Sequence, residues 1–197
     1  MRQFLVVGHE APTTPEFSLD DLTGAGRLDA LCRCVTAAFL LSHDIRTDVR
    51  VRVVLADEFT LRFEGEELRR LNPDERSTAA LFRTALEQRE EAIGHVPVET
   101  SPGVYLTRRD TAAAVETAAA EGKLVQLHED GSPASECVPP DDAVFVLSDH
   151  RDFTDPEVAL LDEHADQRIR LGPKRLHGNQ AITVAHNWLD TDGWTTF

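Results

Sequence analysis

The chain has few lysines, few cysteines and no long apolar run. A helix that crosses a bilayer needs roughly 20 apolar residues, and no stretch of the sequence approaches that length. The first residues, MRQFLVVGHE, lack the extended apolar region of a signal peptide. We therefore expect a cytoplasmic protein with no membrane partner. Its 197 residues are enough for one well-buried α/β domain, so we expect a single domain over residues 1–197.

The common metal and nucleotide motifs are also missing. Cys32 and Cys34 stand two residues apart, so on a helix they point about 200° away from each other and cannot share a metal ion. We expect them to be buried instead, as free cysteine usually is. The eight histidines show no H-x-x-x-H spacing, so we expect no metal site. Neither G-x-G-x-x-G nor G-x-x-x-x-G-K-[ST] occurs, which disfavours a dinucleotide or ATP site.

Positive charge is scarce: the chain has 20 basic residues against 35 acidic ones, and its net charge is −15. Lys123 and Lys174 are the only lysines. Taken alone, this balance disfavours a nucleic-acid partner, because nucleic-acid-binding surfaces are usually basic. In a salt-rich cytoplasm, however, long-range attraction is already screened to a length of about 3 Å at 1 M salt, so an acidic surface loses little. The composition fits a halophilic source, which we state as a hypothesis.

The pattern of apolar residues alternates between strand and helix periods. This is typical of an α/β protein with a mostly parallel sheet flanked by helices. Strands are predicted at 3–7, 50–55, 60–63, 104–107, 124–127, 143–147 and 168–171, and helices at 27–41, 66–71, 73–91, 110–120, 155–165 and 179–189. Residues 94–102 are expected to be irregular. A knot cannot be derived from such a pattern, and true knots are rare among protein folds.

Polar loops follow three of the predicted strands. They are LHEDGS (127–132), LSDHRD (147–152) and LGPKRLHGNQ (171–180). Parallel strands place ligands beyond their carboxyl ends, so these loops are the predicted binding site. On sequence alone they are also compatible with ordinary surface turns.

Four segments carry a family resemblance: GRLDALCRCVTAAFLLSHDIR (26–46), NPDERS (72–77), PGVY (102–105) and LHGNQAITVAHNWLD (176–190). Together they resemble the archaeal tRNA pseudouridine N1-methyltransferases, a branch of the SPOUT, or trefoil-knot, methyltransferases. The resemblance implies a SPOUT fold whose C-terminal part, about 124–197, is knotted and binds the cofactor. It also implies a homodimer. Relatives commonly have glycine at the position of Ser148 and cysteine at the position of Ala181. We therefore expect the backbone of Ser148 to have an ordinary conformation.

The activity that the resemblance implies is transfer of a methyl group from S-adenosylmethionine to N1 of pseudouridine-54 in the T-loop of tRNA. The cofactor is expected against Leu127, Ser148, Leu171, Gly172, Pro173, Lys174, Arg175, Leu176 and Ala181. Because N1 carries a proton, the reaction needs a carboxylate or water to accept it, and cations to stabilise charge on the ring oxygens.

Asp/Arg pairs at helix ends are the candidates for that chemistry, with an aspartate as the base. They are Arg27, Asp29, Asp44, Arg46 and Arg76, together with Arg33. The same residues also suit helix caps and local ion pairs. Two other functions stay open: methylation of a pseudouridine in ribosomal RNA, and a non-catalytic RNA-binding protein that keeps the fold. The second is motivated by Ser148, Ala181 and the acidic surface.

The halophile hypothesis predicts that stability depends on salt. At low salt the excess carboxylates repel one another across the surface, so the midpoint of thermal unfolding should fall steadily as KCl is lowered. Circular dichroism melts over a series of KCl concentrations measure this. A midpoint that does not change with salt would contradict the hypothesis.

Overall fold

The computed structural model describes residues 1–69 and 71–197. Within them the helices and strands, in chain order, are β1 (Arg2–Gly8), α1 (Leu28–Phe39), β2 (Val49–Leu55), β3 (Phe59–Glu64), α2 (Glu75–Glu87), β4 (Val98–Ser101), β5 (Val104–Thr107), α3 (Thr111–Glu121), β6 (Lys123–Pro133), β7 (Ala143–Ser148), α4 (Asp155–His164), β8 (Gln167–Arg170) and α5 (Gly178–Asp190). Short 3-10 turns at Arg89–Glu91 and Ala134–Glu136 complete this set. In the described residues, no helix is long and apolar enough to cross a bilayer.

All eight strands form one sheet in the order β4-β5-β3-β2-β1-β7-β6-β8. Strands β2, β1, β7, β6 and β8 are parallel to one another, while β3, β5 and β4 extend the sheet in antiparallel fashion. The central strands are nearly continuous apolar runs because helices cover both faces of the sheet. The predicted α/β class, with a central sheet flanked by helices, is therefore confirmed.

The two faces of the sheet bury separate apolar clusters. Alternate residues of β1 point to opposite faces, so Phe4 joins the cluster under α1, α2 and α5, while Leu5 joins the cluster under α3 and α4. Cys32 and Cys34 are buried in the first cluster, as expected. Burial raises the pKa of the Cys34 thiol to about 12, so it stays protonated.

Two predicted features differ in the structure. The segment predicted to be irregular contains β4, which pairs with β5 across a turn where Gly103 has a φ of +75°. The predicted helix at 66–71 does not form over 66–69, and residue 70 lies outside the described residues. The amides of Glu67 and Leu68 both donate to the carbonyl of Glu64, at 3.1 and 2.8 Å, which makes a single turn.

The first of the three predicted loops, 127–132, is part of β6 in the structure, where the contact with β8 makes it a bulge. Ile169 of β8 pairs with both Leu127 and Ser132 of β6, so the residues between them bulge out of the sheet. A Cβ atom on Gly131 would lie 2.5 Å from the carbonyl carbon of Ile169, which is closer than any side chain allows. Glycine is therefore required for the bulge to lie against the backbone of β8.

Candidate active site

A cleft of about 1210 Å³ lies beyond the carboxyl ends of β6, β7 and β8. The three loops predicted to bind a ligand line it together. All nine residues predicted to contact the cofactor are among the lining residues: Leu127, Ser148, Leu171, Gly172, Pro173, Lys174, Arg175, Leu176 and Ala181. A pocket for one drug-sized ligand occupies about 300–1,000 Å³, so the cleft has room for more than one small group.

The floor of the cleft is apolar because α5 begins directly against α1 and β7. A Cβ atom on Gly178, the first residue of α5, would lie 2.9 Å from Cys34 Sγ and 3.2 Å from Leu147 Cδ1. Glycine thus allows an approach that a larger residue would prevent. Ala181, one turn further along α5, is 9% exposed and contributes a small apolar surface to the same floor.

The loop between β8 and α5 offers unused backbone donors. Within residues 1–69 and 71–197, the amides of Gly172, Lys174, Arg175 and Leu176 have no hydrogen-bond partner. Backbone amides are strong donors that are costly to leave unpaired away from water. This segment can therefore donate to a ligand seated on the apolar floor.

Ser148 has the ordinary backbone conformation that we expected, since it is not among the residues with positive φ. Its hydroxyl donates to the carbonyl of Arg151 and closes the turn after β7. The side chain of Ser148 is thus used within its own loop.

A buried carboxylate holds two arginines at the edge of the cleft. Asp29 accepts from Arg27 through both oxygens, at 2.9 and 3.1 Å, and from Arg33 Nη2 at 2.8 Å. Arg27 has a left-handed backbone (φ 59°) and follows Gly26, which is also left-handed (φ 61°). A left-handed arginine is uncommon, and such strain is often found at functional sites.

The electrostatics of this cluster disfavour Asp29 as a general base. Its hydrogen bond to Arg27, reinforced by Arg33, lowers the pKa of Asp29 to about 2. A carboxylate held ionised so strongly is a weak base near neutral pH. The geometry favours Asp29 as the residue that orients Arg27 and Arg33, both of which line the cleft.

The structure does not bring the other predicted catalytic residues to the cleft. Arg46 pairs with Asp190, the last residue of α5, at 2.6 Å. At 1.5 Å per residue, Asp190 lies about 18 Å from Gly178, the first residue of that helix. Asp44 lies in the exposed turn after α1, where it accepts from the Ile45 amide at 2.8 Å. The exposed side chain of Arg76 pairs with Asp20. Their catalytic roles stay predictions from sequence.

A second buried carboxylate, Asp149, lines the cleft and was not predicted as a site residue from the sequence. It accepts from the amide of His9 at 2.9 Å, from His9 Nδ1 at 3.0 Å and from the Arg151 amide at 2.8 Å. The other ring nitrogen of His9 lies 2.9 Å from Glu157 Oε2. His9 follows β1 and Asp149 follows β7, so the cluster forms only because these strands are neighbours.

Both carboxylates favour the protonated imidazole. The hydrogen bond to Asp149, helped by the one to Glu157, raises the pKa of His9 to about 9. His9 is therefore a cation at neutral pH and ties the loop after β7 to β1 and to the first turn of α4.

The side chains that line the cleft carry a net positive charge, opposite in sign to that of the whole chain. Six cationic side chains line the cleft against three carboxylates, although the chain carries a net charge of −15. The cations are Arg27, Arg33, Arg151, Arg170, Lys174 and Arg175, and the carboxylates are Glu129, Asp149 and Asp152. A local basic patch is what an anionic ligand needs, so the overall acidity does not exclude RNA here.

We expect the His9 cluster to make stability depend on pH. Because the folded state raises the pKa of His9 from 6.5 to about 9, its contribution is fully present below pH 6.5 and is lost as pH rises through about 9. Denaturant unfolding across this window should show that loss, and His9→Gln should reduce it. His95→Gln, at an exposed position, is the control. An unchanged pH dependence in His9→Gln would contradict the assignment.

Comparison with known proteins identifies the family. The model of a family described as "Putative SAM-dependent RNA methyltransferase" matches residues 1–194. The protein of Haloarcula marismortui named tRNA (pseudouridine(54)-N(1))-methyltransferase is 66% identical, and the Haloferax volcanii protein of the same name is 64% identical. Both matches span 100% of this chain and 100% of the relative.

The fold also has a solved counterpart. The crystal structure of Archaeoglobus fulgidus Nep1 bound to S-adenosylhomocysteine matches with a TM-score of 0.63 and 15% sequence identity, covering 95% of both chains. At that identity the likeness shows a shared fold. The match to the family model and the full-length relatives show more: the chain belongs to the S-adenosylmethionine-dependent RNA methyltransferases of this family.

Proposed function

We propose that this protein transfers a methyl group from S-adenosylmethionine to N1 of pseudouridine-54 in the T-loop of tRNA. The observation that carries the proposal is the cleft, which all nine residues expected to contact the cofactor line together. They come from β6, the end of β7, the loop after β8 and the first turn of α5. The names of the full-length relatives support the choice of substrate.

The chemistry of the cleft fits S-adenosylmethionine. An adenine ring needs a flat apolar surface and amide partners, and the floor at Leu127 and Ala181 and the unpaired amides of 172–176 offer both. The nine lining residues named above would hold the cofactor. When bound, it supplies a methyl group on a positively charged sulfur.

Arg27 and Arg33 are proposed to act on the target base. N1 of pseudouridine belongs to an imide-like ring, and loss of its proton places negative charge on the ring oxygens. Guanidinium groups fixed at the edge of the cleft stabilise that charge without further rearrangement. Asp29 keeps them in place as a positioning residue.

We assign the proton of N1 to water rather than to an aspartate. Asp29 has a pKa of about 2. Burial opposes ionisation of Asp149, but its hydrogen bonds to His9 and the Arg151 amide lower its pKa below the usual value. The oxygens of both carboxylates are already occupied by fixed donors. Water in the open cleft can take the proton instead, because N1 becomes strongly acidic as it gains the methyl group and the bond from sulfur to that methyl group breaks.

Four further points are proposals. The whole chain acts as one SPOUT domain whose cofactor-binding part, about 124–197, holds a trefoil knot. Two observations support the knot. Ile169 of β8 pairs with β6 on both sides of the bulge in β6, and after β8 the chain passes next to Leu147 of β7 at Gly178. The family resemblance supports a homodimer, and tRNA as substrate supports a cytoplasmic location.

The direct test is nucleoside mass spectrometry of T-loop fragments after incubation with S-adenosylmethionine at high salt. We expect one added methyl group on pseudouridine-54, and none when uridine occupies that position. Methylation of ribosomal RNA fragments alone would support a ribosomal substrate. Absence of methylation from both, together with no cofactor binding by calorimetry, would leave a non-catalytic RNA-binding protein.

The proposed role of Arg27 predicts a selective loss of rate. Arg27→Gln should lower kcat by about 10²–10³-fold while leaving the dissociation constant of S-adenosylmethionine nearly unchanged, because it removes stabilisation of charge that forms only during the reaction. Arg89→Gln, outside the cleft, is the matched control. If Arg27→Gln weakened cofactor binding and left kcat intact, Arg27 would belong to the cofactor site.

A further inference from the structure

Nearly every cation of this acidic chain has a charged or polar partner. In the part of the chain that the structure describes, each lysine and arginine except two makes an ion pair or a hydrogen bond. The lysine outside the cleft, Lys123, pairs with Asp166 at 2.9 Å, and Arg168 donates to Gln126 at 2.7 Å. The two exceptions are Arg170 and Lys174, and both line the cleft. Their position is unexpected in a chain with 35 acidic residues.

The nearby carboxylates are already engaged by other groups. Asp149 is bound by His9, while Asp152 and Glu129 both pair with Arg175. These are the only carboxylates among the described residues that line the cleft. The charges of Arg170 and Lys174 therefore stay uncompensated at this point of the surface.

Both side chains are open to solvent. Arg170 is the last residue of β8, the edge strand of the sheet, and Lys174 follows four residues later in the loop that leads to α5. Both residues are exposed. A long cationic side chain in this position can reach an anion that lies across the cleft opening, while the backbone of the same loop faces the cleft.

We propose that Arg170 and Lys174 each bind a backbone phosphate of the RNA next to the target nucleotide. This inference rests on the proposed function and adds which side chains bind the backbone of the RNA substrate. Phosphate oxygens carry full charge at neutral pH and accept from both guanidinium and ammonium groups. The carboxylate of the cofactor shares this anionic chemistry, so the test separates the two sources.

The test compares Arg170→Gln/Lys174→Gln with wild type over a series of KCl concentrations. The double variant should bind the tRNA about tenfold more weakly at the lowest salt in which it stays folded, because two phosphate contacts are lost. The plot of log affinity against log salt should also become shallower by about 1.4, at about 0.7 for each single-strand contact. Lys123→Gln, which removes the other lysine, should match wild type in both respects.

Calorimetry with S-adenosylhomocysteine separates RNA from cofactor. Lys174 would hold the cofactor through its unpaired backbone amide, which the change to glutamine leaves in place. We therefore expect the dissociation constant of S-adenosylhomocysteine to be the same in the double variant and in wild type. A tenfold weaker affinity for S-adenosylhomocysteine with unchanged RNA binding would overturn the proposal and assign the pair to the cofactor carboxylate. Unchanged affinity for both would overturn it as well. Failure of wild type to methylate tRNA would instead be a failure of the proposed function.

Discussion

The close approach of α5 to α1 and β7 at Gly178 is the contact on which the candidate site depends. It brings the first turn of α5 within 2.9 Å of Cys34 Sγ, measured from where a Cβ atom would stand. This contact places Ala181 in the floor and holds the end of the loop from Leu171 to Leu176 over the carboxyl ends of β6, β7 and β8. A side chain at Gly178 would push these elements apart, and the floor of the cleft would open.

Around that floor, cationic side chains outnumber carboxylates, although the chain as a whole is acidic. Buried Asp29 and Asp149 are each held by fixed cationic or amide donors, so they organise the neighbouring groups and do not repel an anion. The remaining cations at the opening give the cleft a basic edge on an acidic protein. A surface suited to high salt and a site suited to RNA can thus coexist, because short-range contacts survive screening that removes long-range attraction.

The sequence predicted most of the sheet and the loops around the cleft, because the parallel strands are apolar runs and Gly and Pro mark the turns between them. It missed β4, which is short, polar and lies at the sheet edge, so that only its pairing with β5 identifies it. The His9–Asp149 contact was also beyond prediction, because its partners are 140 residues apart and meet only through the pairing of β1 with β7. Helix-end Asp/Arg pairs gave Arg27 and Asp29, but the same pattern also selected Asp44 and Arg46, since it does not distinguish one end of α1 from the other.

The most direct test of the central claim is an NMR titration of the backbone amides with S-adenosylhomocysteine. We expect the largest chemical-shift changes on Leu127, Ser148, the loop from Leu171 to Leu176 and Ala181, with saturation at one equivalent per chain. Changes centred on the antiparallel strands β3, β4 and β5, or no saturable change at all, would contradict it.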